Sequence, residues 1–193
     1  MFFSKNRALK ITCVISLLMI TFVYHRYINA ENNTHQIKFG ATYMTMNNTF
    51  YKAVNNEIEN VINDHGDILY TRDPALDAKK QEEQINDLID LGIDVLIVNP
   101  VESSTINKTL KKVKKAGIKI IVVDAPISDD QIADCTVVSD NYDAGVKCAL
   151  DMMQRFEKAR IVLLEHQNVL SAVDRINGFK DTVSTNENYQ IVG

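Results

Sequence analysis

From Ile37 onward the sequence alternates short apolar runs with amphipathic stretches, and only a few residues connect them. The apolar runs predict strands at 37–44, 68–71, 95–98 and 118–123, and the stretches between them have helical periodicity. Strands that alternate with helices through short connections predict right-handed crossovers and a parallel, doubly wound α/β sheet. This alternation constrains the fold more than any other feature of the chain.

The spacing of apolar residues predicts which helix faces are buried. In the first helix the buried positions recur at i, i+3, i+7 and i+10: Tyr51, Val54, Ile58 and Val61. The third helix carries five lysines on the side opposite its apolar residues: Lys108, Lys111, Lys112, Lys114 and Lys115. We interpret this lysine run as a solvated helix face.

A second unit of the same kind follows the first. The pattern predicts three further strands and two helices, at 136–139, 142–156, 161–165, 171–185 and 189–192. The sequence then stops inside the repeat, and an unpaired strand is a poor end for a stable domain. We therefore expect an incomplete first α/β lobe at 37–138 and the truncated start of a second lobe at 139–193.

Charge is divided unevenly along the chain. Residues 1–30 carry four basic residues and no acid, so residues 31–193 carry 17 basic against 25 acidic residues, a net charge of −8. Phosphate backbones are bound by clustered Lys and Arg, so this acidic body argues against nucleic acid as a partner.

The N-terminus is typical of an export signal. Three positive charges precede an apolar run at 11–24, and Ile28-Asn29-Ala30 offers a small-residue cleavage site. The run is shorter than the roughly 20 residues that a spanning helix needs, which favours a signal peptide at 1–30. The alternative is an uncleaved anchor that contacts the membrane through 11–24. Both place the body outside the cytoplasm.

No catalytic, nucleotide-binding or metal-ligand motif is present in the sequence. An alternative is that Asp124 and Glu165 form a glycosidase pair, which needs two carboxylates facing one bond. Cys135 and Cys148 are interpreted as small buried residues, with a disulfide between them left open. We predict a protein that is not an enzyme and has neither a metal nor a cofactor.

Polar side chains recur where the predicted strands end. The residues that share this position are Asn48, Asn99, Asp124, Asp140 and Asn141. Ligands bind at the carboxyl edge of parallel α/β sheets, and amides and carboxylates pair well with adjacent hydroxyls. The rings of Phe50 and Tyr51 are suited to the C–H face of a sugar. Each residue also has a structural alternative as a helix cap, turn or core residue.

Five segments give residues 37–193 a family likeness. They are MNNTFY at 46–51, LIVNP at 96–100, VVD at 122–124, VSDN at 138–141 and SAVDRINGF at 171–179. In order and spacing they resemble the type I periplasmic binding proteins, especially the ribose-binding-like sugar receptors of ABC transporters. The resemblance implies two lobes that close on a sugar about a hinge.

The resemblance also implies roles for single residues. The ligand-binding residues would be Asn48, Phe50, Tyr51, Asp124 and Arg175, and the hinge would lie at Ser139, Asp140 and Asn141. The sequence departs from the family at Ala125, where an Arg is frequent, and at Thr49, where Pro is common. Met44 would narrow the pocket. A lost guanidinium removes a five-donor fork, so the ligand should differ from that of ribose receptors.

From these features we expect an extracytoplasmic solute-binding protein for a monosaccharide or similar polyol, with an ABC permease as its partner. The alternative is a membrane-anchored sugar sensor that signals to a histidine kinase or chemoreceptor. The two differ at the N-terminus, because a sensor stays anchored through residues 11–24.

Overall fold

A computed structural model describes residues 15–25 and 36–193. The chain divides into two units, Met1–Gln36 and Ile37–Gly193. In the first, residues 15–25 are helical with exposed apolar side chains, and the rest of the predicted export segment lies outside the described residues. No helix within the described ranges combines the length and the apolar character needed to cross a membrane.

The second unit contains a five-stranded parallel sheet in the order β2-β1-β3-β4-β5. Its strands are β1 Lys38–Thr42, β2 Ile68–Arg72, β3 Val95–Val98, β4 Lys119–Asp124 and β5 Cys135–Val138. Its helices are α1 Thr49–Asp64, α2 Ala78–Asp90 and α3 Asn107–Lys115, with a 3-10 turn at Asp130–Ile132 before β5. The predicted doubly wound α/β fold is confirmed.

A separate two-stranded parallel sheet follows. Its strands are β6 Ala159–Ile161 and β7 Tyr189–Ile191, and the helices of this part are α4 Asn141–Arg155 and α5 Leu170–Val183. The prediction of a strand at 161–165 was wrong, since β6 begins and ends earlier. Its ladder with β7 provides only three paired positions, from Ala159 to Ile161, and Glu165 lies in the loop beyond them.

Alternate residues of the central strands supply cores on both faces of the larger sheet. Leu96 and Val98 pack on the side of α2 and α3, whereas Ile97 packs with Tyr51 on the side of α1. Val61, predicted to be buried, is 58% exposed, and its neighbour Ile62 is buried in its place. The helix is therefore rotated by one residue from the predicted face near its C-terminus.

Helices α4 and α5 cross at two glycines. A Cβ on Gly145 would overlap the backbone oxygen of Arg175, and one on Gly178 would overlap that of Tyr142. Both obstacles are backbone atoms, which have no rotamer with which to move aside. The two helices therefore pack at a distance that only glycine permits at these positions.

We expect Gly178→Ala to lower the free energy of unfolding by about 1–3 kcal/mol, because the helices must separate to accept the methyl group. Urea unfolding followed by circular dichroism measures the change. Asn177→Ala is the matched control, since Asn177 is exposed on the same helix and should change stability little. Equal stability of the Gly178→Ala variant and the unmutated protein would contradict the close crossing.

Candidate functional site

The amide of Asn99 joins three strand ends at the carboxyl edge of the larger sheet. Asn99 follows β3 and is fully buried. Its Oδ1 accepts a hydrogen bond from the backbone N–H of Met44 (3.1 Å), in the loop after β1. Its Nδ2 donates to the backbone oxygen of Val123 (3.2 Å) and to Asp124 Oδ2 (3.4 Å), at the end of β4. These bonds fix the loops of adjacent parallel strands relative to one another.

Asp124 ends β4 in a strained backbone conformation. Its φ is +66°, and the N–H of Ala125 donates to the oxygen of Val123 (2.8 Å), which closes a γ-turn. A non-glycine residue in this region costs on the order of 1–3 kcal/mol, although Asp tolerates it better than most residues do. Such strain persists only where surrounding contacts hold the residue in place.

Tyr51 is the main contact that holds the Asp124 carboxylate. Its hydroxyl donates to Asp124 Oδ2 (2.9 Å) from α1, and its ring is 7% exposed. Burial, and then the neighbouring Asp124 charge, raise the pKa of Tyr51 well above its usual value, so the phenol stays protonated and remains a donor. Among the described residues, donors reach Oδ2 and none reaches Oδ1. Oδ1 is therefore available to a ligand.

Two further aromatic rings pack on Tyr51, which contacts this carboxylate. Tyr43 stacks on Tyr51 with ring centroids 5.9 Å apart, and Phe50 meets Tyr51 edge to face at 5.4 Å. Tyr43 is buried, whereas Phe50 is 52% exposed. The Phe50 ring therefore presents an apolar surface to solvent beside a fixed carboxylate.

An open cavity of about 460 Å³ lies against this group. Phe50, Tyr51 and Asp124 line it together with Val138 and Ser139 at the end of β5. Most of its lining is aliphatic or aromatic, with the Asp124 carboxylate as its charged group. This combination suits a ligand with hydroxyl groups on one side and C–H groups on another.

One predicted binding residue and one predicted hinge residue cap helices. Asn48 Oδ1 accepts from the N–H of Phe50 (2.9 Å) at the start of α1, and Asp140 Oδ1 accepts from the N–H of Asp143 (2.9 Å) at the start of α4. The structural alternative of Asn48 as a helix cap is therefore confirmed, whereas Asp140, for which the alternative was a turn, is also an N-cap. Neither residue lines the cavity beside Asp124.

Arg175 forms a second group with the predicted hinge. Its Nε donates to Oδ1 of Asn141 (2.8 Å), and Asn141 Nδ2 donates to the backbone oxygen of Ser139 (3.0 Å). Asn141 is 5% exposed, whereas Arg175 and Ser139 are exposed, so this chain of bonds is buried at its middle residue and open to water at its ends. Since Ser139 also lines the cavity beside Asp124, it connects the two groups.

The glycosidase alternative is not supported by the geometry. Glu165 lines a different cavity from Asp124 and is paired with Lys180, which lowers the pKa of Glu165 below its usual value. The expectation of buried cysteines was also wrong: Cys135 and Cys148 are exposed and unbridged. Cys135 lies on β5, whose residues are all exposed at the edge of the sheet. Within the described residues no cluster of His, Cys, Asp or Glu is arranged to hold a metal.

Sequence reasoning missed Gln81, which supports Asn99 from α2. Its Nε2 donates to the backbone oxygen of Asn99 (2.9 Å), and its Oε1 accepts from the N–H of Val101 (2.9 Å). The side chain is almost fully buried. A signal was present, because Gln81 lies four residues before Ile85 and seven before Leu88, on the apolar stripe of an amphipathic helix.

The chain is similar to known binding proteins over most of its length. The ribose import binding protein of Bacillus subtilis (strain 168) is 27% identical over 151 residues, which are 77% of this chain and 49% of the relative. An ABC transporter solute-binding protein from Mycobacterium smegmatis, solved with bound glycerol, is 31% identical with a TM-score of 0.73, covering 81% of this chain and 55% of that chain. The chain therefore spans about half the length of the curated relatives it matches.

A fructose-binding periplasmic domain of a hybrid two-component system shares the fold, with a TM-score of 0.77 and 22% identity over 81% of this chain and 53% of that chain. A family model described as the periplasmic binding protein domain matches residues 39–193. This match spans both sheets and all five helices of the second unit. The chain belongs to the periplasmic binding protein family.

Proposed function

We propose that the chain belongs to an extracytoplasmic solute-binding protein, which binds a monosaccharide or similar polyol between two lobes and delivers it to an ABC permease. The lobes would be residues 37–138 and 139–193, with the hinge at Ser139, Asp140 and Asn141. Binding is the whole activity in this proposal, and no catalysis is involved. Relatives named for ribose and D-xylose binding support the ligand class.

One observation carries the proposal: the carboxylate of Asp124 is held at Oδ2 by Tyr51, receives no hydrogen bond at Oδ1 from residues 15–25 or 36–193, and lies beside the exposed ring of Phe50. A carboxylate that is fixed in advance accepts a sugar hydroxyl without first losing its own freedom of movement. The Phe50 ring is suited to the C–H face of the same sugar. Asn48 and Arg175 are proposed to add hydrogen bonds from the first and second lobes.

We expect Asp124→Asn to weaken sugar binding by about tenfold or more, because a neutral amide forms weaker hydrogen bonds than a carboxylate. Isothermal titration calorimetry of the purified native protein would use the sugars named for relatives: D-ribose, D-xylose, D-fucose, fructose and myo-inositol. Asn has the same shape as Asp and accepts a positive φ, so the fold should survive the substitution.

Asp64→Asn is the matched control, because Asp64 is exposed at the end of α1 and lies outside the cavity. It should bind the same sugar as tightly as the unmutated protein does. If Asp124→Asn also binds with unchanged affinity, the assignment of the site is wrong. If none of these compounds binds to the native protein, the proposed ligand class is wrong.

Tyr51→Phe should weaken binding by about 10- to 100-fold, since a hydrogen bond to a charged group contributes ~1.5–3 kcal/mol. The loss comes from an Asp124 carboxylate that is no longer held at Oδ2. Tyr43→Phe is the control, because the Tyr43 hydroxyl is buried without a partner in the described part of the chain. Because the Tyr43 and Tyr51 rings stack on each other, comparing the two variants separates the effect of the Tyr51 hydroxyl from that of ring packing. Equal affinities in the two variants would remove Tyr51 from the binding mechanism.

A second candidate function is a membrane-anchored sugar sensor that signals to a histidine kinase or chemoreceptor. The structural neighbour from a hybrid two-component system favours it. So do the exposed apolar side chains of residues 15–25, which a membrane would cover. The two candidates share the sugar site and differ in whether the N-terminal segment is retained.

We expect N-terminal sequencing of the exported protein to begin at Glu31, directly after the small-residue site at 28–30. This result fits a protein released to serve a transporter. An intact Met1 in the membrane fraction, with none of the protein released, would instead favour the sensor. Measuring both fractions from the same cells distinguishes the two functions directly.

A further inference from the structure

The five-stranded and two-stranded parts of the fold touch at Ser103, away from the covalent crossing at 139–141. Ser103 lies in the loop after β3. Its backbone N–H donates to the oxygen of Asn168 (3.1 Å), and its Oγ accepts from the backbone N–H of Leu170 (3.3 Å). Ser103 is 4% exposed and Val169 is 5% exposed, so the Ser103 end of both bonds is buried, whereas Asn168 is exposed.

The start of α5 explains why Leu170 needs this partner. The first amides of a helix lack acceptors within the helix, and a Ser, Thr, Asp or Asn at the N-cap normally provides one. The N-cap of α5 is Val169, whose side chain forms no capping bond. Ser103 Oγ accepts the Leu170 N–H instead, from a loop 67 residues earlier in the chain.

Ser103 is in turn fixed to the five-stranded part. Its backbone oxygen accepts from both the N–H (3.0 Å) and the hydroxyl (3.1 Å) of Ser128, in the loop after β4. Asn107 Nδ2 donates to the same Ser128 hydroxyl (2.8 Å). A rotation of α5 away from the larger sheet must therefore break the bonds to Asn168 and Leu170 and leave those to Ser128 intact.

We propose that Ser103 is a positioning residue, which fixes the angle between the two lobes by capping α5 from the opposite lobe. Together with the crossing at 139–141 it gives two points of attachment, and two points restrict a hinge far more than one. Arg175 lies on α5, so Ser103 also fixes where Arg175 lies relative to Asp124. The inference rests on the proposed function only in assuming that this angle sets the width of the ligand cleft.

Pulsed electron–electron double resonance measures the distribution of distances between two spin labels, one on each lobe, and so reports changes in the angle between the lobes without any sugar. One label would be attached at the native Cys148 on α4 and the other at K79C on α2, with Cys13 and Cys135 replaced by serine. Both labelled positions are exposed. We expect Ser103→Ala to give a roughly twofold broader distance distribution, because the second attachment is weakened. A distribution identical to that of the unmutated protein would overturn the proposal.

Two variants separate this role from general loosening of the loop. Ser103→Thr keeps the hydroxyl and should restore the narrow distribution. Ser104→Ala changes the exposed neighbour and should leave the distribution narrow. Broadening by Ser104→Ala to the same extent as by Ser103→Ala would also overturn the proposal.

A second measurement needs no variant and so does not depend on how Ser103→Ala folds. By amide hydrogen exchange, the N–H of Leu170 should exchange more slowly than that of Ser171, the next residue in the first turn of α5. Equal or faster exchange at Leu170 would contradict the capping bond. Because neither measurement uses a sugar, the proposal for the Ser103 contact and the proposal for the sugar site can be disproved independently.

Discussion

The fold positions its site through the buried amide of Asn99. A buried side-chain amide is costly unless its donors and acceptor are paired, and here the bonds of Asn99 end on the loop after β1 and on the last two residues of β4. Met44, Val123 and Asp124 are held by the Asn99 side chain, while Gln81 holds its backbone oxygen. The carboxyl edge of the sheet is therefore one connected network, and the loss of Asn99 would leave several buried groups unpaired at once.

The pattern of strands and helices could be predicted from the sequence because buried parallel strands and amphipathic helices have different apolar periods. The errors occur where a neighbouring element decides the outcome. Val61 and Ile62 are both apolar, and only the packing of α1 on the sheet selects Ile62 for burial. The bounds of β6 depend on how many positions β7 pairs with. Cys135 is exposed together with every other residue of β5, the edge strand, so neither face of this strand is covered in the described chain.

The site was predictable as a set of strand-end residues but not as a set of contacts. The spacing of Asn99 and Asp124 after buried strands indicates that they share an edge, and the structure brings them together. The bond from Tyr51 to Asp124 joins residues 73 positions apart, which no local pattern records. Arg175 is turned toward Asn141 by the crossing of α4 and α5, whose two glycines set the separation. Helix crossings of this kind are properties of tertiary packing.

The strain at Asp124 and the bond from Tyr51 are similar in size, and this balance explains how the carboxylate is presented. The γ-turn costs ~1–3 kcal/mol, and a hydrogen bond to a charged group contributes ~1.5–3 kcal/mol. The strained turn and the hydrogen bond from Tyr51 therefore depend on each other, and together they set the orientation of Asp124 Oδ1 in the absence of a ligand. Ala125 follows directly, is fully buried and has no polar side-chain group, so its side chain adds no hydrogen-bond donor beside Asp124. In the proposed site, recognition at this edge therefore depends on the fixed Asp124 carboxylate and the adjacent aromatic rings.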